Sequence, residues 1–372
     1  MKRGGGLNTA VFSFIHTDMI DEITYLNEHY TEFEPKCPIV IPSYQNREGT
    51  ILKDLKSLTN NKVILFIYDI DYDNYKQYLE NPNVEIVTIK EKWRSIQRKR
   101  HWIQVYLANE RPEIENYIMV DDDLKKSKLT CYKDNVNSAD TNTNFYDING
   151  EQTTTNDKIT SKYIPLINAL GILEHLHKKY SNTVSGGAGE NTGILSGKVV
   201  HKNKYFYQVF CFNNKWLKEH PQCMFRDMQN VSEDNVLWYD CYNNNQPYYA
   251  FECLYFECNN QRVKTYNSIA STPINRIRND INALRIMKHN TKLHWSKEWN
   301  CWAVRFVPGF TQTTKIWDDV KSILDTNLPN WEDINNNYTE DEFTKTFNLL
   351  SNYLKPLFNE DKNDSTLEEF FM

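Results

Sequence analysis

Short apolar, β-branched runs alternate with amphipathic stretches along the first third of the chain. Cys37-Pro-Ile-Val-Ile-Pro42 is an unbroken apolar run ended by a turn signal, which predicts a buried strand. Residues 62–68 (KVILFIY), 84–89 and 116–120 (NYIMV) read the same way. Between them, residues 48–58 carry Ile51, Leu52, Leu55 and Leu58 at helical spacing. Residues 72–79 suit a short helix, and 93–108 predict a helix with a basic first half. Strands and helices alternating at these lengths predict parallel βαβ units in one sheet. Ligands bind such sheets at the carboxyl ends of the strands. Two loops therefore stand out: 42–48 after the first strand and 121–124 after the fourth.

Elsewhere the pattern predicts a peripheral extension over 1–36, with one helix near 19–29. Residues 127–160 are rich in Asn, Thr and Asp and have little to bury, so they read as a polar insertion or mobile loop. Residues 164–177 return to helical periodicity, and Ser185-Gly-Gly-Ala-Gly189 reads as a flexible loop. Residues 205–212 and 250–256 read as strands. Residues 231–242 predict a helix opened by Ser232, and 273–287, 317–324 and 343–354 predict further helices, the last stopped by Pro356.

Composition narrows the function classes. The 372 residues suffice for one large domain or two modest ones, and the net charge of −6 rules out a polycation that binds nucleic acid over its whole surface. Binding of that kind needs a local basic patch. The eight cysteines include no C-x-x-C pair, which argues against zinc and for reduced core thiols in the cytoplasm. Lys2 and Arg3 precede only a short, broken apolar stretch, and no run approaches the roughly 18 apolar residues that span a bilayer. No membrane insertion is expected, and the expected location is the cytoplasm.

Chemistry concentrates in three places. Asp121-Asp122-Asp123 follows a buried strand, and a D-x-D spacing there sets Asp121 and Asp123 on one side of the chain. Hard cations such as Mg²⁺ and Mn²⁺ take one or two carboxylates and complete their shell with diphosphate oxygens. The competing reading is a solvated acidic turn or a helix cap. Pro42-Ser43-Tyr44-Gln45-Asn46-Arg47 lies where a nucleoside would rest. Tyr44 can stack on a base and Arg47 can pair with a phosphate, or the segment is an ordinary strand-to-helix turn. Ser232-Glu233-Asp234-Asn235 opens a helix, where a carboxylate stays ionised and can serve as a base, or simply caps the helix. His289 and His294 are available late in the chain, and the basic residues Arg94, Arg98, Lys99 and Arg100 precede the acidic strand.

The I-P-S-Y-x-x-R segment and V-D-D-D-L together resemble the GT-A fold of glycosyltransferases that use nucleotide sugars. With S-E-D-N added, the set is most similar to the glycosyltransferases associated with TET/JBP-type base hydroxylases, found largely in bacteriophages. Here Gln45 and Asn46 separate Tyr44 from Arg47, one residue more than that family's usual spacing. The resemblance covers residues 37–295 and implies an α/β, Rossmann-like mixed sheet flanked by helices. The expected organisation is an N-terminal extension over 1–36, a catalytic domain over 37–300 and a C-terminal helical extension over 301–372. It implies Mn²⁺ or Mg²⁺ on Asp121 and Asp123, completed by His289 or His294. The donor, a UDP-sugar first, would lie on Pro42, Ser43, Tyr44, Arg47, Arg94, Arg98 and Asp122. Asp234, or else Glu233, would be the base of an inverting transfer. The implied acceptor is a hydroxymethylated pyrimidine in phage DNA, inside an infected host. Other outcomes the residues leave open are a polysaccharide or protein acceptor, a nucleotidyltransferase, and a non-enzymatic sugar- or nucleic-acid-binding module. The donor sugar and the oligomeric state are not written in these residues.

Overall fold

The computed structural model describes residues 21–43, 51, 61–90, 95–132, 159–189, 199–204, 206–228, 232–258, 273–296, 301–307, 314–331, 333 and 337–359. The chain divides into two compact units. The first comprises Met1–Glu91, Leu107–Glu219 and Pro247–Asn260; the second comprises Lys92–Tyr106, His220–Gln246 and Gln261–Met372.

The first unit is built on one ten-stranded sheet. Its strands are β1 (Ile39–Pro42), β2 (Val63–Tyr68), β3 (Val84–Ile89), β4 (Asn116–Val120), β5 (Leu124–Tyr132), β6 (Ile159–Ile164), β7 (Val184–Gly189), β8 (His201–Lys202), β9 (Val209–Asn213) and β10 (Tyr249–Cys258). The order is β3-β2-β1-β4-β9-β7-β10-β5-β6, with β8 paired to β10. The four strands foreseen from apolar runs, β1 to β4, form its parallel part, with Ile39 opposite both Val63 and Ile118. β1, β2 and β4 are buried along their whole length, which is why they read as continuous apolar runs. From β9 onward the sheet is mixed: β9 is antiparallel to β4 and β7, while β10 runs parallel to β7 and antiparallel to β5. The α/β class with a mixed sheet is thus observed.

Helices cover this sheet. A helix over 21–29, α1, buries Ile23 and Leu26. The short α2 (Tyr72–Tyr75) follows β2; α3 (Ile96–Glu110), most of which belongs to the second unit, precedes β4 in the chain. α4 (Leu166–Leu176) buries Leu170, Ile172, Leu173 and Leu176 against the core. Glu22 of α1 is tied to the π-helical turn His177–Ser181 that follows α4: Tyr180 donates to it at 3.0 Å, and Lys179 pairs with it. Gly171 is what lets α4 approach so closely, because a Cβ there would lie 2.5 Å from the Phe33 carbonyl carbon. α5 (Asn214–Glu219) ends this unit's run from β9.

Three local expectations change. Residues 184–189 form strand β7 rather than a flexible loop. The glycines serve packing: a Cβ on Gly186 would sit 2.1 Å from the Phe206 ring, and one on Gly187 2.3 Å from the Phe256 ring. Residues 127–132, polar in sequence, belong to β5, which pairs with β6 from Ser127–Ile164 to Tyr132–Ile159. Ser127 is buried between exposed Lys126 and half-buried Lys128, and from Leu129 to Cys131 the strand is buried throughout. The middle of that insertion, and most of the helix expected over 48–58, lie outside the described residues.

The second unit holds α6 (Glu233–Asn243), α7 (Pro273–Met287), the hairpin of β11 (Thr291–Ser296) and β12 (Cys301–Phe306), α8 (Thr314–Asn327) and α9 (Glu340–Asn359). Trp238, Trp302 and Trp331 are its largest fully buried side chains. α9 runs through Pro356, the third correction. The proline costs one intrahelical bond close to the C-terminal end, while buried Leu350 and Leu354 anchor the preceding turn. No helix among the described residues is long and apolar enough to cross a membrane.

Candidate functional site

The acidic run forms the turn that leaves β4. The Asp121 amide donates to the Gln208 carbonyl at 3.0 Å, extending the β4–β9 ladder by one residue. Gln208 holds a φ of 72°, a conformation non-glycine residues rarely adopt, and so turns its carbonyl to this contact. Asp122 is buried, whereas Asp121 and Asp123 are both half-buried. The three carboxylates therefore do not share one environment. The outer two flank an inner one that is already engaged.

That engagement comes from the first strand. β1 ends at Pro42, and the Ser43 amide donates to the Phe66 carbonyl of β2 at 2.9 Å. The Ser43 hydroxyl then donates to Asp122 Oδ2 at 2.9 Å and lies 2.8 Å from the Tyr75 hydroxyl. Tyr75, on α2, is fully buried. Parallel pairing brings the ends of β1, β2 and β4 to one edge, and these three side chains link them. Ser43 and Asp122 stand in the predicted loops, whereas Tyr75 does not. It lies 32 residues from Ser43 and within no motif.

The second unit gathers a different set. Arg100 Nη1 donates to Glu233 Oε1 at 3.2 Å and to Asp234 Oδ1 at 3.1 Å, and Gln97 Nε2 donates to Glu233 Oε2 at 3.3 Å. The Arg100 side chain is only 3% exposed, against 19% and 20% for the two carboxylates. Its guanidinium also lies 5.2 Å from the centre of the Phe225 ring. Phe225 is clipped to α3 by its amide, which donates to Gln104 Oε1 at 2.7 Å. The helical phase of α3 carried this signal: Gln97, Arg100, Gln104 and Leu107 share one buried stripe. Arg98 points elsewhere and pairs with Asp227 at 3.2 Å. Ser232 occupies the cap position of α6 without bonding the helix backbone, and its hydroxyl accepts from Asn235 Nδ2 at 3.0 Å.

Tyr44, Arg47 and Arg94 lie outside the described residues. So do the side chains of His289 and His294, whose backbones belong to the 3₁₀ turn Lys288–Asn290 and to β11. Among the described residues, no three His, Cys, Asp or Glu side chains gather as a closed metal site. Asp121 and Asp123, both half-buried, are instead oxygen donors of the kind a hard cation takes one or two of, with the rest of its shell left to other oxygens. The residues fit Mg²⁺ or Mn²⁺ in that manner.

No protein family and no curated protein is matched by this chain. Among solved structures, it is similar to the crystal structure of GalNAc-T7 with UDP, GalNAc and Mn²⁺, with a TM-score of 0.41 and 9% identity. The match covers 88% of this chain and 58% of that one, so this chain spans less than two thirds of the solved structure's length.

Proposed function

We propose that this chain is a metal-dependent glycosyltransferase with a nucleotide sugar, a UDP-sugar first, as donor. The observation that carries the reading is the acidic turn at the carboxyl end of β4, with Asp121 and Asp123 half-buried and Asp122 fixed from the end of β1. Ligands of open α/β sheets bind at such strand ends. Asp121 and Asp123 would hold Mn²⁺ or Mg²⁺, which when bound neutralises the charge of a departing nucleoside diphosphate. Pro42 and Ser43 would bound the nucleoside, with Tyr44 and Arg47 beyond them. Arg94 and Arg98, the latter paired with Asp227 in the structure, are the proposed diphosphate partners.

Asp234 takes the acceptor proton in this reading, with Glu233 the second candidate. A base of this kind must be held in place, and Arg100 donates to Glu233 and Asp234 at 3.2 and 3.1 Å. A single displacement assisted by that base inverts the anomeric centre. The proposed acceptor, taken from the resemblance of I-P-S-Y-x-x-R, V-D-D-D-L and S-E-D-N, is a hydroxymethylpyrimidine in DNA. Such a base must leave the duplex, or lie in a single strand, for its hydroxyl to reach the sugar.

The test is incubation with hydroxymethylated DNA, Mn²⁺ and a panel of nucleotide sugars, followed by nucleoside mass spectrometry. A hexose-sized or similar mass gain on the modified base is expected. Donor turnover without any such gain would move the acceptor to another hydroxyl, and no turnover of any donor would remove the glycosyltransferase reading.

A further inference from the structure

The contact between Tyr75, Ser43 and Asp122 has a direction. A serine hydroxyl carries one proton, and here it goes to Asp122 Oδ2 at 2.9 Å. In the 2.8 Å contact with Tyr75, the tyrosine is therefore the donor. The chain runs Tyr75 Oη–H to Ser43 Oγ–H to Asp122. All three residues are buried, with Tyr75 and Ser43 fully so. Each comes from the end of a different strand region: Tyr75 from the helix after β2, Ser43 after β1 and Asp122 after β4.

We infer that Tyr75 is a positioning residue for the acidic turn, acting through Ser43 to fix the Asp122 carboxylate and with it the spacing of Asp121 and Asp123. This rests on the proposed donor site. Asp122 is the middle of three consecutive carboxylates, so its anchoring sets the path of the turn on both sides. Without the Ser43 bond the turn would still carry the outer carboxylates, but with a less fixed separation. Two donors in series polarise one another in a low-dielectric interior, so the second bond is strengthened by the first. Tyr75 touches neither donor nor acceptor in this account.

The test is a double-mutant cycle read by calorimetric binding of UDP in the presence of Mn²⁺. Tyr75→Phe keeps the buried ring and loses only the donor. It should weaken UDP binding about fivefold, the scale of one neutral hydrogen bond. Ser43→Ala should weaken it by at least as much. The double variant should bind no worse than Ser43→Ala alone, because Tyr75 acts only through Ser43. A purely structural role for Tyr75 would instead lower affinity independently in both backgrounds. Equal losses from Tyr75→Phe with and without Ser43, or no loss at all, overturn the relay while leaving the donor site standing. Absence of Mn²⁺-dependent UDP binding by the unmodified chain removes the donor site and the relay with it. Thermal melting of each variant checks the fold. Should Tyr75→Phe not fold, Tyr75 is structural and the inference fails.

Discussion

Replacing Arg100 by Met isolates what one buried guanidinium does for two carboxylates. Methionine keeps an unbranched apolar stem against Phe225 but removes the charge that Glu233 and Asp234 share at 3.2 and 3.1 Å. Removing one partner of a buried ion pair costs about 3–5 kcal/mol. The carboxylates are 19% and 20% exposed, so water recovers part of that. Their place in the first turn of α6 recovers about 0.3–1 kcal/mol each from the helix dipole. The lost cation–π contact adds back about 0.5–1 kcal/mol. The balance is a destabilisation of about 2–3 kcal/mol. Urea unfolding at pH 7, followed by tryptophan fluorescence, reads it as a lower midpoint at unchanged slope. The triple variant Arg100→Met/Glu233→Gln/Asp234→Asn removes the stranded charges and should regain more than half of the loss. A single variant within about 0.5 kcal/mol of the unmodified chain, or a triple variant no better than the single, would refute the reasoning.

Other predictions follow from the same structure. Gly186→Ala places a Cβ 2.1 Å from the Phe206 ring and 2.4 Å from the Val209 carbonyl oxygen, which as backbone cannot swing away. It should cost about 2–3 kcal/mol in urea unfolding, and a cost below about 0.5 kcal/mol would mean β7 is not packed as described. Acid should destabilise the protein in two windows. Burial and the neighbouring Lys178 charge hold His177 down at about 3, so the unfolded chain binds the extra proton below about 6.5 and stability falls from there toward pH 3. Burial alone would push Glu22 up, but hydrogen bonds with His175, Lys179 and Tyr180 outweigh it and hold the carboxyl at about 2. Its stabilisation is therefore present above pH 4.5 and lost as pH falls toward 2. Stability measured against pH should lose the upper window in His177→Gln and the lower one in Glu22→Gln. Retention of both windows in both variants would show that other groups carry them.

The parallel half of the sheet was legible because burial on both faces makes β1, β2 and β4 apolar throughout. The other half was less so. β7 is written Val-Ser-Gly-Gly-Ala-Gly, which has the composition of a loop, and close packing by Phe206, Val209 and Phe256 explains Gly186 and Gly187. β5 opens with three lysines among its first five residues and buries its polar Ser127 and Thr130, so its composition hides a strand. At the site, Asp121-Asp122-Asp123 and Ser43 announced themselves by local pattern. Tyr75 did not, since its meaning depends on a contact across 32 residues. Arg100 stood in a run of basic residues that reads as a solvated face, although its phase with Gln97 and Leu107 points it inward. Charge runs on a helix divide by phase, and here Arg98 and Arg100 serve different partners.

The central claim is that the turn after β4 binds a nucleotide sugar through a cation held by Asp121 and Asp123. The most direct measurement is release of nucleoside diphosphate from UDP-sugars by the purified chain, with Mn²⁺ or with chelator, for the unmodified protein and for Asp121→Ala/Asp123→Ala. The account predicts release that requires Mn²⁺ and falls at least about a hundredfold in the double variant, whose fold is retained. Release that survives both the chelator and the double substitution unchanged would contradict it.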